Sequence, residues 1–351
     1  MPGASGFGAN ASYEVRLAVY QGLSRVKVIG KGLVVTDADV GDVLCRGCDS
    51  FTVQTVTTGL RLKGVGVRPR AIVVSSSSPI MIGDRSLMGT VEIRKKPKGI
   101  LVVNRLSLDR YLMGLLGAEM GPKWPLEALK AQAVAARTFF MHRRLSREDA
   151  PFDVSATTLD QVYKGIRLES KRTTRAVQET RGLVLTWGNM PAETLFHACC
   201  GGRTHSSFEV FGGKIPYLRA VDDPDCSRCP KHRWSMKLRL DNVAKKLTLR
   251  GWTGVIDKVE QKKGTLCFIG HHGRKLKLSK VNFRKLMGAI LIPSPWFHAS
   301  LDGNVLLLNG RGSGHGVGLC QWGARGMAER GKDFRSILRR YYPGCKIRKL
   351  F

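Results

Sequence analysis

Hydrophobic and polar positions alternate along the first hundred residues of the chain. In the stretch "YEVRLAVY", Val15, Leu17 and Val19 share one face of an extended backbone, and "RVKVIGKGLVV" and "RAIVV" continue the alternation. A period of two residues is typical of β-strands that bury one face. We therefore expect residues 1–103 to form a β-rich N-terminal part without a long helix.

The hydrophobic period becomes helical after Ser107, which is a suitable N-cap. Leu108, Leu112 and Leu115 recur at helical spacing, and Glu119 falls on the same face. Gly121-Pro122 ends this helix. A second helix begins near Pro125, and its apolar stripe consists of Leu126, Leu129, Ala133, Ala136 and Phe140, with Lys130, Val134 and Arg137 on the neighbouring face.

The remaining sequence mixes both periods. We expect one helix near residues 173–180, a basic β-rich section at 234–308 with a short helix at "VNFRKLMG", and two short helices at "QWGARGMAERG" and "FRSILRRYYPG". The predicted fold class is α+β. A β-rich N-terminal part (1–103) precedes a region (104–351) that contains the helical pair and closes on a glycine-rich segment, around one cleft.

The charge of the chain points to an anionic partner. Its 58 basic and 27 acidic side chains give a net charge of +31, and the basic residues recur throughout rather than in one tail. A cationic surface of this kind attracts nucleic acid, anionic lipid or an anionic wall polymer. The alternative is a solvated basic face without a specific partner. No apolar run approaches the length of a membrane span, and the first residues show no readable secretion signal.

Glu119 is the first candidate for chemistry. A carboxyl group on an apolar face loses solvation, which raises its pKa and favours the protonated form. Such a group acts as a general acid near neutral pH. The alternative is a buried glutamate that Arg137 neutralises across the helix pair.

The segment "GRGSGHGVG" (residues 310–318) is the second candidate. Its five alternating glycines leave one face of an extended segment without side chains, so another backbone or a flat ligand can approach, while His315 points to the opposite face. The segment matches neither a dinucleotide-binding nor a Walker pattern. The alternative is a tight packing seam.

The cysteines are the third candidate. The stretches "FHACCGG" and "DPDCSRCPKH" bring thiols and imidazoles in a number that suits tetrahedral zinc. We predict a structural zinc site from Cys200, Cys226, Cys229 and His197, with Cys199 and His232 nearby, and no cofactor that catalysis requires. The alternatives are a disulfide, if the protein is exported, or unliganded thiols.

Several ordered blocks carry a family resemblance. They are "LDRYLMGLLGAEMGPKWPLEALKAQAVAARTF", "TTLDQVYKG", "AVQETRGLVLTWGNMPAETLFHACCGGRT", "GRGSGHGVGLCQWGARGMAERGK" and "ILRRYYPG". Together they resemble the stage II sporulation protein D (SpoIID) family from about Leu108 to the C-terminus, and the β-rich start is more weakly similar.

The resemblance implies a lytic transglycosylase of peptidoglycan. Such enzymes cut between N-acetylmuramic acid and N-acetylglucosamine, and they prefer strands from which an N-acetylmuramoyl-L-alanine amidase has removed the stem peptides. By the same resemblance, Glu119 is the catalytic acid and Arg137 belongs to the active cleft, where it could bind a lactyl carboxylate. The matching substrate-binding positions are Gln161, Tyr163, His197, His315 and Gln321.

Peptidoglycan as substrate implies a location in the cell envelope or periplasm and a role in wall remodelling, division or sporulation. One departure concerns metal: some members bind zinc through cysteines that flank the "DQVY" block, where this chain has Ser155 and Asp160. We expect that family site to be absent. Two other functions stay open: a non-catalytic glycan-binding enhancer of an amidase, and nucleic-acid binding. No recognition motif supports specific nucleic-acid binding.

Overall fold

The computed structural model of the protein describes residues 13–147, 149–156, 161, 163–262 and 264–350. These residues form two compact units. Unit 1 comprises the described residues of Met1–Thr194 and Cys345–Phe351, and unit 2 comprises those of Leu195–Gly344. Strands and helices occur in both units, which confirms the predicted α+β class.

Strands make up most of the chain before Leu108, and helices and strands are mixed after it. The strands are β1 (Glu14–Leu23), β2 (Arg25–Asp37), β3 (Val43–Val56), β4 (Gly59–Leu62), β5 (Ala71–Ser75), β6 (Ile80–Ile82), β7 (Arg85–Leu87), β8 (Thr90–Lys96), β9 (Gly99–Ser107), β10 (Val154–Ser155), β11 (Leu183–Trp187), β12 (Met190–Pro191), β13 (Phe196–His197), β14 (Arg233–Arg239), β15 (Lys258–Lys262), β16 (Thr265–Ile269), β17 (Lys275–Ser279), β18 (Phe297–Asp302), β19 (Val305–Arg311), β20 (Leu319–Cys320) and β21 (Lys346–Lys349). The α-helices are α1 (Leu108–Glu119), α2 (Leu126–Leu145), α3 (Lys171–Glu179), α4 (Ser207–Phe211), α5 (Leu240–Leu247), α6 (Lys280–Met287), α7 (Gln321–Glu329) and α8 (Phe334–Tyr341). Short 3-10 turns lie at Ile166–Leu168, Pro224–Cys226, Thr248–Arg250 and His271–Gly273.

Strands β1 to β9 of the β-rich N-terminal part form a ten-stranded sheet in unit 1 together with β10. Its strand order is β10-β1-β9-β8-β5-β2-β3-β4, and in addition β6 pairs with β2 and β7 pairs with β6. Val15 and Leu17 are fully buried, as the alternating pattern predicted. Strand β9 runs into α1 without a linker, because Ser107 ends β9 and also caps α1 by accepting a hydrogen bond from the N–H of Arg110. The predicted boundary between residues 103 and 104 therefore lies inside β9.

The predicted helical pair is present, and α3 packs against both of its members. Strand β11 lies beside α2 and pairs with β12 and β21 in a small sheet. The predicted apolar stripe on α2 was too narrow: every residue from Ala131 to Met141 is buried, including Arg137. The reason is that α1, α3, β11 and β12 cover this helix from several sides. No helix in the described part of the chain is long and apolar enough to cross a membrane.

Unit 2 contains two three-stranded antiparallel sheets, β14-β19-β18 and β15-β16-β17. Their side chains share a core with α5 and α6, and its largest members are Trp234, Trp252, Phe268, Phe283 and Phe297. The predicted helix at "VNFRKLMG" is confirmed as α6, and the two predicted C-terminal helices are confirmed as α7 and α8. Helix α5 was not predicted.

The glycine-rich segment does not form one extended strand, so that expectation was wrong. After β19 ends at Arg311, Gly314 and Gly318 adopt φ angles of +101° and +73°, which interrupt the extended conformation. The segment packs against residues 195–200 instead. A Cβ atom on Gly318 would lie 2.0 Å from the carbonyl oxygen of Leu195. The packing-seam interpretation is therefore confirmed.

Candidate functional site

Glu119 is the last residue of α1 and is half-buried. Leu108, Leu112 and Leu115, on the same face, are at most 2 % exposed. The acid thus stands where the buried face of the helix meets its end. The last carbonyl groups of a helix carry partial negative charge, which disfavours a second negative charge on a nearby carboxyl group.

The connection between α1 and α2 is held in place by α3. Gly121 adopts a φ angle of +89°, and the N–H of Trp124 donates to its carbonyl oxygen at 3.4 Å. One guanidinium nitrogen of Arg172 donates to the carbonyl oxygens of Lys123 and Trp124, at 3.0 and 3.2 Å. The turn that follows Glu119 is therefore fixed from the side of α3.

A depression of 470 Å³ lies beside this connection. It is lined by Pro125, Leu126, Lys171, Arg172 and Arg175. We call it the α3 depression. Its three cationic side chains suit an anionic group. Sequence reasoning missed these residues, because a basic surface helix carries no periodic signal that separates it from other solvated faces.

Arg137 does not lie beside Glu119. It is fully buried in α2 and donates to the carbonyl oxygens of Leu183 at 3.1 Å and Val177 at 3.5 Å. Its ion-pair partner is Asp109, at 3.9 Å. Asp109 stands in the first turn of α1, about 15 Å along the helix axis from Glu119. Burial lowers the pKa of Arg137 to about 10.

The position of Arg137 does not fit two of the roles considered for it. The alternative in which Arg137 neutralises Glu119 was wrong, because its guanidinium meets the opposite end of α1. The predicted contact with a lactyl carboxylate also lacks support, since the side chain has no exposed surface. Arg137 instead joins α1, α2, α3 and β11.

Gln161 and Tyr163 pack against α1 and are fully buried. The Tyr111 hydroxyl donates to the Gln161 side chain at 2.7 Å, and the Gln161 amide donates to the Ala136 carbonyl at 3.3 Å. Gln161 thereby links α1 to α2. The Tyr163 ring lies 5.6 Å from that of Tyr111, and burial raises the pKa of Tyr163.

Two glycines of α1 explain this close packing. A Cβ atom on Gly114 would lie 2.8 Å from the Tyr163 ring, and one on Gly117 would lie 2.0 Å from the Leu168 carbonyl oxygen. Gly114 lies about 140° from Glu119 around the helix axis. Gln161 and Tyr163 therefore support α1 from a different side than the one that presents the acid. Asp160 lies outside the described residues.

The two predicted histidines of unit 2 are neighbours, with ring centroids 5.5 Å apart. The Nδ1 atom of His197 contacts the Val317 carbonyl at 3.1 Å. His315 donates from Nε2 to the Phe196 carbonyl at 2.8 Å and accepts from the Val317 N–H at Nδ1. Burial is the main cause that lowers the pKa of His197 to about 3 and that of His315 to about 4. Both rings are therefore neutral near pH 7.

Gln321, the last of the predicted substrate-binding residues, is the first residue of α7 and is only 4 % exposed. A larger opening in unit 2 is a groove of 1370 Å³. Its lining includes Arg233, Lys280, Arg311, Trp296 and Phe297. The Trp296 ring stacks on His205 with centroids 3.4 Å apart. The groove thus combines aromatic side chains with cationic groups, a mixture that is common in ligand sites.

The predicted cysteine cluster is present, but with a different membership. Donor atoms of Cys200, Asp223, Cys226 and Cys320 all lie within 4.8 Å of one another, and those of Cys199, Cys226 and His232 form a second group. His197 and Cys229 belong to neither group. Hydrogen bonds from Cys199 and other neighbouring thiols lower the pKa of Cys226. Cys45 and Cys48 form a disulfide within β3, and the seven other cysteines are free.

Comparison with known proteins places this chain among relatives of known family. A family model described as stage II sporulation protein matches residues 96–187. The stage II sporulation protein D of Bacillus subtilis is 30 % identical over 266 residues, which cover 70 % of this chain and 75 % of that protein. The amidase enhancer of the same species is 30 % identical over 291 residues, which cover 67 % of this chain and 40 % of that protein. An uncharacterised protein of Brachyspira hyodysenteriae is 36 % identical over 297 residues, which cover 82 % of this chain and 79 % of that protein. The chain belongs to the stage II sporulation protein D family.

Proposed function

We propose that this protein is a lytic transglycosylase that cuts peptidoglycan glycan strands in the cell envelope, with Glu119 as its catalytic acid. Membership of the family supports a role in the cell wall. The observation that carries the reaction is the position of Glu119. It is a half-buried carboxyl group at the C-terminal end of α1, on the same face as the buried Leu108, Leu112 and Leu115.

One carboxyl group serves both steps of the reaction. The protonated Glu119 donates its proton to the glycosidic oxygen, and the bond from that oxygen to C1 of N-acetylmuramic acid breaks. The resulting carboxylate accepts the proton of the C6 hydroxyl of the same sugar, whose oxygen then bonds to C1. The product is a 1,6-anhydro-muramic acid end. An internal hydroxyl replaces the water that ordinary two-carboxylate hydrolysis needs, so no second acid is required.

The α3 depression binds the anionic group of the substrate. Removal of the stem peptide leaves a lactyl carboxylate on each muramic acid. The cations of the depression suit such a group, and Arg172 from its wall holds the turn four residues after Glu119. Arg137 is a positioning residue, because it acts through the packing of α1, α2 and α3.

The proposal is tested by digesting two peptidoglycan samples, one intact and one stripped of stem peptides by an amidase. We expect the wild-type protein to release glycans with 1,6-anhydro-muramic acid ends from the stripped sample, as identified by mass spectrometry. Glu119→Gln keeps the size of the side chain but removes the proton, so we expect no release. An active Glu119→Gln variant with wild-type stability would overturn the assignment.

Glu169→Gln is the matched control. Glu169 is a second half-buried acid of unit 1, and burial raises its pKa. It pairs with Arg110 at 3.0 Å, near the other end of α1. We expect Glu169→Gln to retain cleavage. Loss of cleavage in this variant alone would transfer the catalytic role to Glu169.

A second candidate function is a non-catalytic, glycan-binding enhancer of an amidase. Two observations favour it: one relative is named amidase enhancer, and unit 2 contains the aromatic and cationic groove. This candidate predicts that stripped glycan binds but is never cut, and that the wild-type protein and Glu119→Gln stimulate an amidase equally.

A further inference from the structure

The cysteine cluster of unit 2 is built from three separate chain segments. Cys200 follows β13, Asp223 and Cys226 lie in the loop before β14, and Cys320 ends β20. Cys200, Cys226 and Cys320 are fully buried, and so is Asp223. Their donor atoms converge within 4.8 Å. The fold thus brings four potential metal ligands together from segments that are distant in sequence.

The backbone around the cluster donates hydrogen bonds to the sulfur atoms. The N–H of Gly202 donates to Cys226 at 3.2 Å, and the N–H groups of Cys200 and Gly323 both donate to Cys320 at 3.3 Å. A thiol is a weak acceptor, whereas a thiolate is a strong one because it is charged. These N–H groups would therefore stabilise a thiolate on Cys226 or Cys320 when a metal ion is bound.

The buried carboxyl group of Asp223 also favours a cation at this point. Its side chain is fully buried, and its Oδ1 atom has no hydrogen-bond partner among the described residues. No ion pair found within the described ranges involves Asp223. A buried carboxylate without a cation is costly. The fold nevertheless makes room for it, because a Cβ atom on Gly323 would lie 2.2 Å from the other carboxylate oxygen.

The donor separations suit a tetrahedral ion. Sγ of Cys200 lies 3.1 Å from Oδ2 of Asp223 and 3.5 Å from Sγ of Cys226. In a tetrahedral zinc site with bonds of about 2.0 to 2.3 Å, neighbouring donors lie roughly 3.3 to 3.8 Å apart. Both separations are close to this range, and the other donor pairs of the set lie within 4.8 Å.

We propose that unit 2 binds a structural zinc ion through Cys200, Asp223, Cys226 and Cys320. Three thiolates and one carboxylate form a closed tetrahedral set that leaves no position for water, as structural zinc sites do. The ion supplies the positive charge that Asp223 lacks. It also ties the segment after β13 to the start of α7, and the segment from β13 to Cys200 packs against the glycine-rich segment that bears His315. This site is independent of the reaction proposed for Glu119.

The first test measures the zinc content of the full chain, produced in zinc-supplemented medium and freed of any histidine tag. We expect about one zinc ion per chain by inductively coupled plasma mass spectrometry. Replacement by cobalt should give the visible absorption of a tetrahedral ion with thiolate charge-transfer bands. Cys226→Ser should lose the metal, whereas the control Cys267→Ser, in the same unit but outside the cluster, should retain it.

If Cys226→Ser fails to fold, experiments on the wild-type protein alone still test whether the cluster binds zinc. We expect a chelator to lower the melting temperature by several degrees and added zinc to restore it. Alkylation should modify Cys200, Cys226 and Cys320 only after chelation. A metal-free protein with these cysteines disulfide-bonded or freely alkylated would overturn the proposal, and so would iron with the absorption of an iron–sulfur cluster.

Discussion

At the scale of single residues, the guanidinium of Arg137 connects three helices and a strand inside unit 1. Arg137→Met keeps much of the side-chain volume but leaves the Leu183 carbonyl and Asp109 without this partner. We expect the free energy of unfolding to fall by about 2 to 4 kcal/mol, measured by urea denaturation. The rate of glycan cleavage per folded molecule should change little, because Arg137 does not contact the substrate.

The control for this prediction is Arg175→Met, because Arg175 lies on the surface of α3 with 66 % of its side chain exposed. Its unfolding free energy should stay within about 0.5 kcal/mol of wild type. A fully stable Arg137→Met variant without cleavage would instead indicate direct contact with substrate.

His315 makes the stability of unit 2 depend on pH. Its pKa is lowered to about 4 in the folded state, by burial and by the charge of Arg284, against about 6.5 in an unfolded chain. Between these values the unfolded state binds more protons, so stability is lost as pH falls from about 6.5 towards about 4. The neighbouring His197 adds to the effect.

Thermal unfolding followed across this pH range measures the dependence. We expect the melting temperature of the wild-type protein to fall throughout it, and His315→Gln to show a shallower decline. Identical slopes for the two proteins would show that His315 titrates normally.

At the scale of elements, α1 could be predicted because its signals are local. Ser107 caps it, three leucines mark its buried face, and Gly121 follows its end. Its neighbours could not be predicted in the same way. Nothing in the spacing of Gly114 or Gly117 identifies Tyr163 and Leu168 as the groups that approach them. The same limit explains why the alternative in which Arg137 neutralises Glu119 was wrong, since periodicity gives a helix face but no partner on another helix.

Helix α3 leads to a prediction about substrate binding. Lys171→Ala and Arg175→Ala each remove an exposed cation from the α3 depression. We expect each variant to raise the concentration of stripped glycan needed for half-maximal cleavage several-fold, because an ion pair with a carboxylate is lost. The maximal rate should change little.

Lys98→Ala is the control, because Lys98 is an exposed cation of the same unit outside the depression. It should behave like the wild-type protein in the same kinetic assay. An equal loss in all three variants would indicate a general effect of charge rather than a site on α3.

At the scale of the whole molecule, the net charge of +31 should dominate the first encounter with an anionic wall. We expect the affinity for stripped glycan to fall steeply with rising salt, because exposed charges are screened. Sedimentation of the protein with insoluble stripped glycan at several salt concentrations measures this effect. Salt-independent binding would show that uncharged contacts with the glycan outweigh the surface charge.

The sequence could predict only part of the cysteine cluster, because its members lie far apart along the chain. Cys226 and Cys229 are recognisable by their spacing, and Cys199 and Cys200 by adjacency. Cys320 lies 120 residues beyond Cys200, and Asp223 is one of many acids. Only the three-dimensional fold selects them, because a metal site depends on distances in space and not on distances along the chain.

The pairing of β21 with β11 has a consequence for synthesis on the ribosome. Strand β11 is synthesised before unit 2, but β21, which completes its sheet, is synthesised only after all of unit 2. Unit 2 is thus an insertion within unit 1. During translation, the edge of β11 that later pairs with β21 stays unpaired while the about 150 residues of unit 2 are synthesised. An unpaired strand edge is prone to pairing with a wrong strand. A chaperone that covers the unpaired edge of β11 during this interval would prevent wrong pairing in unit 1, which also contains Glu119.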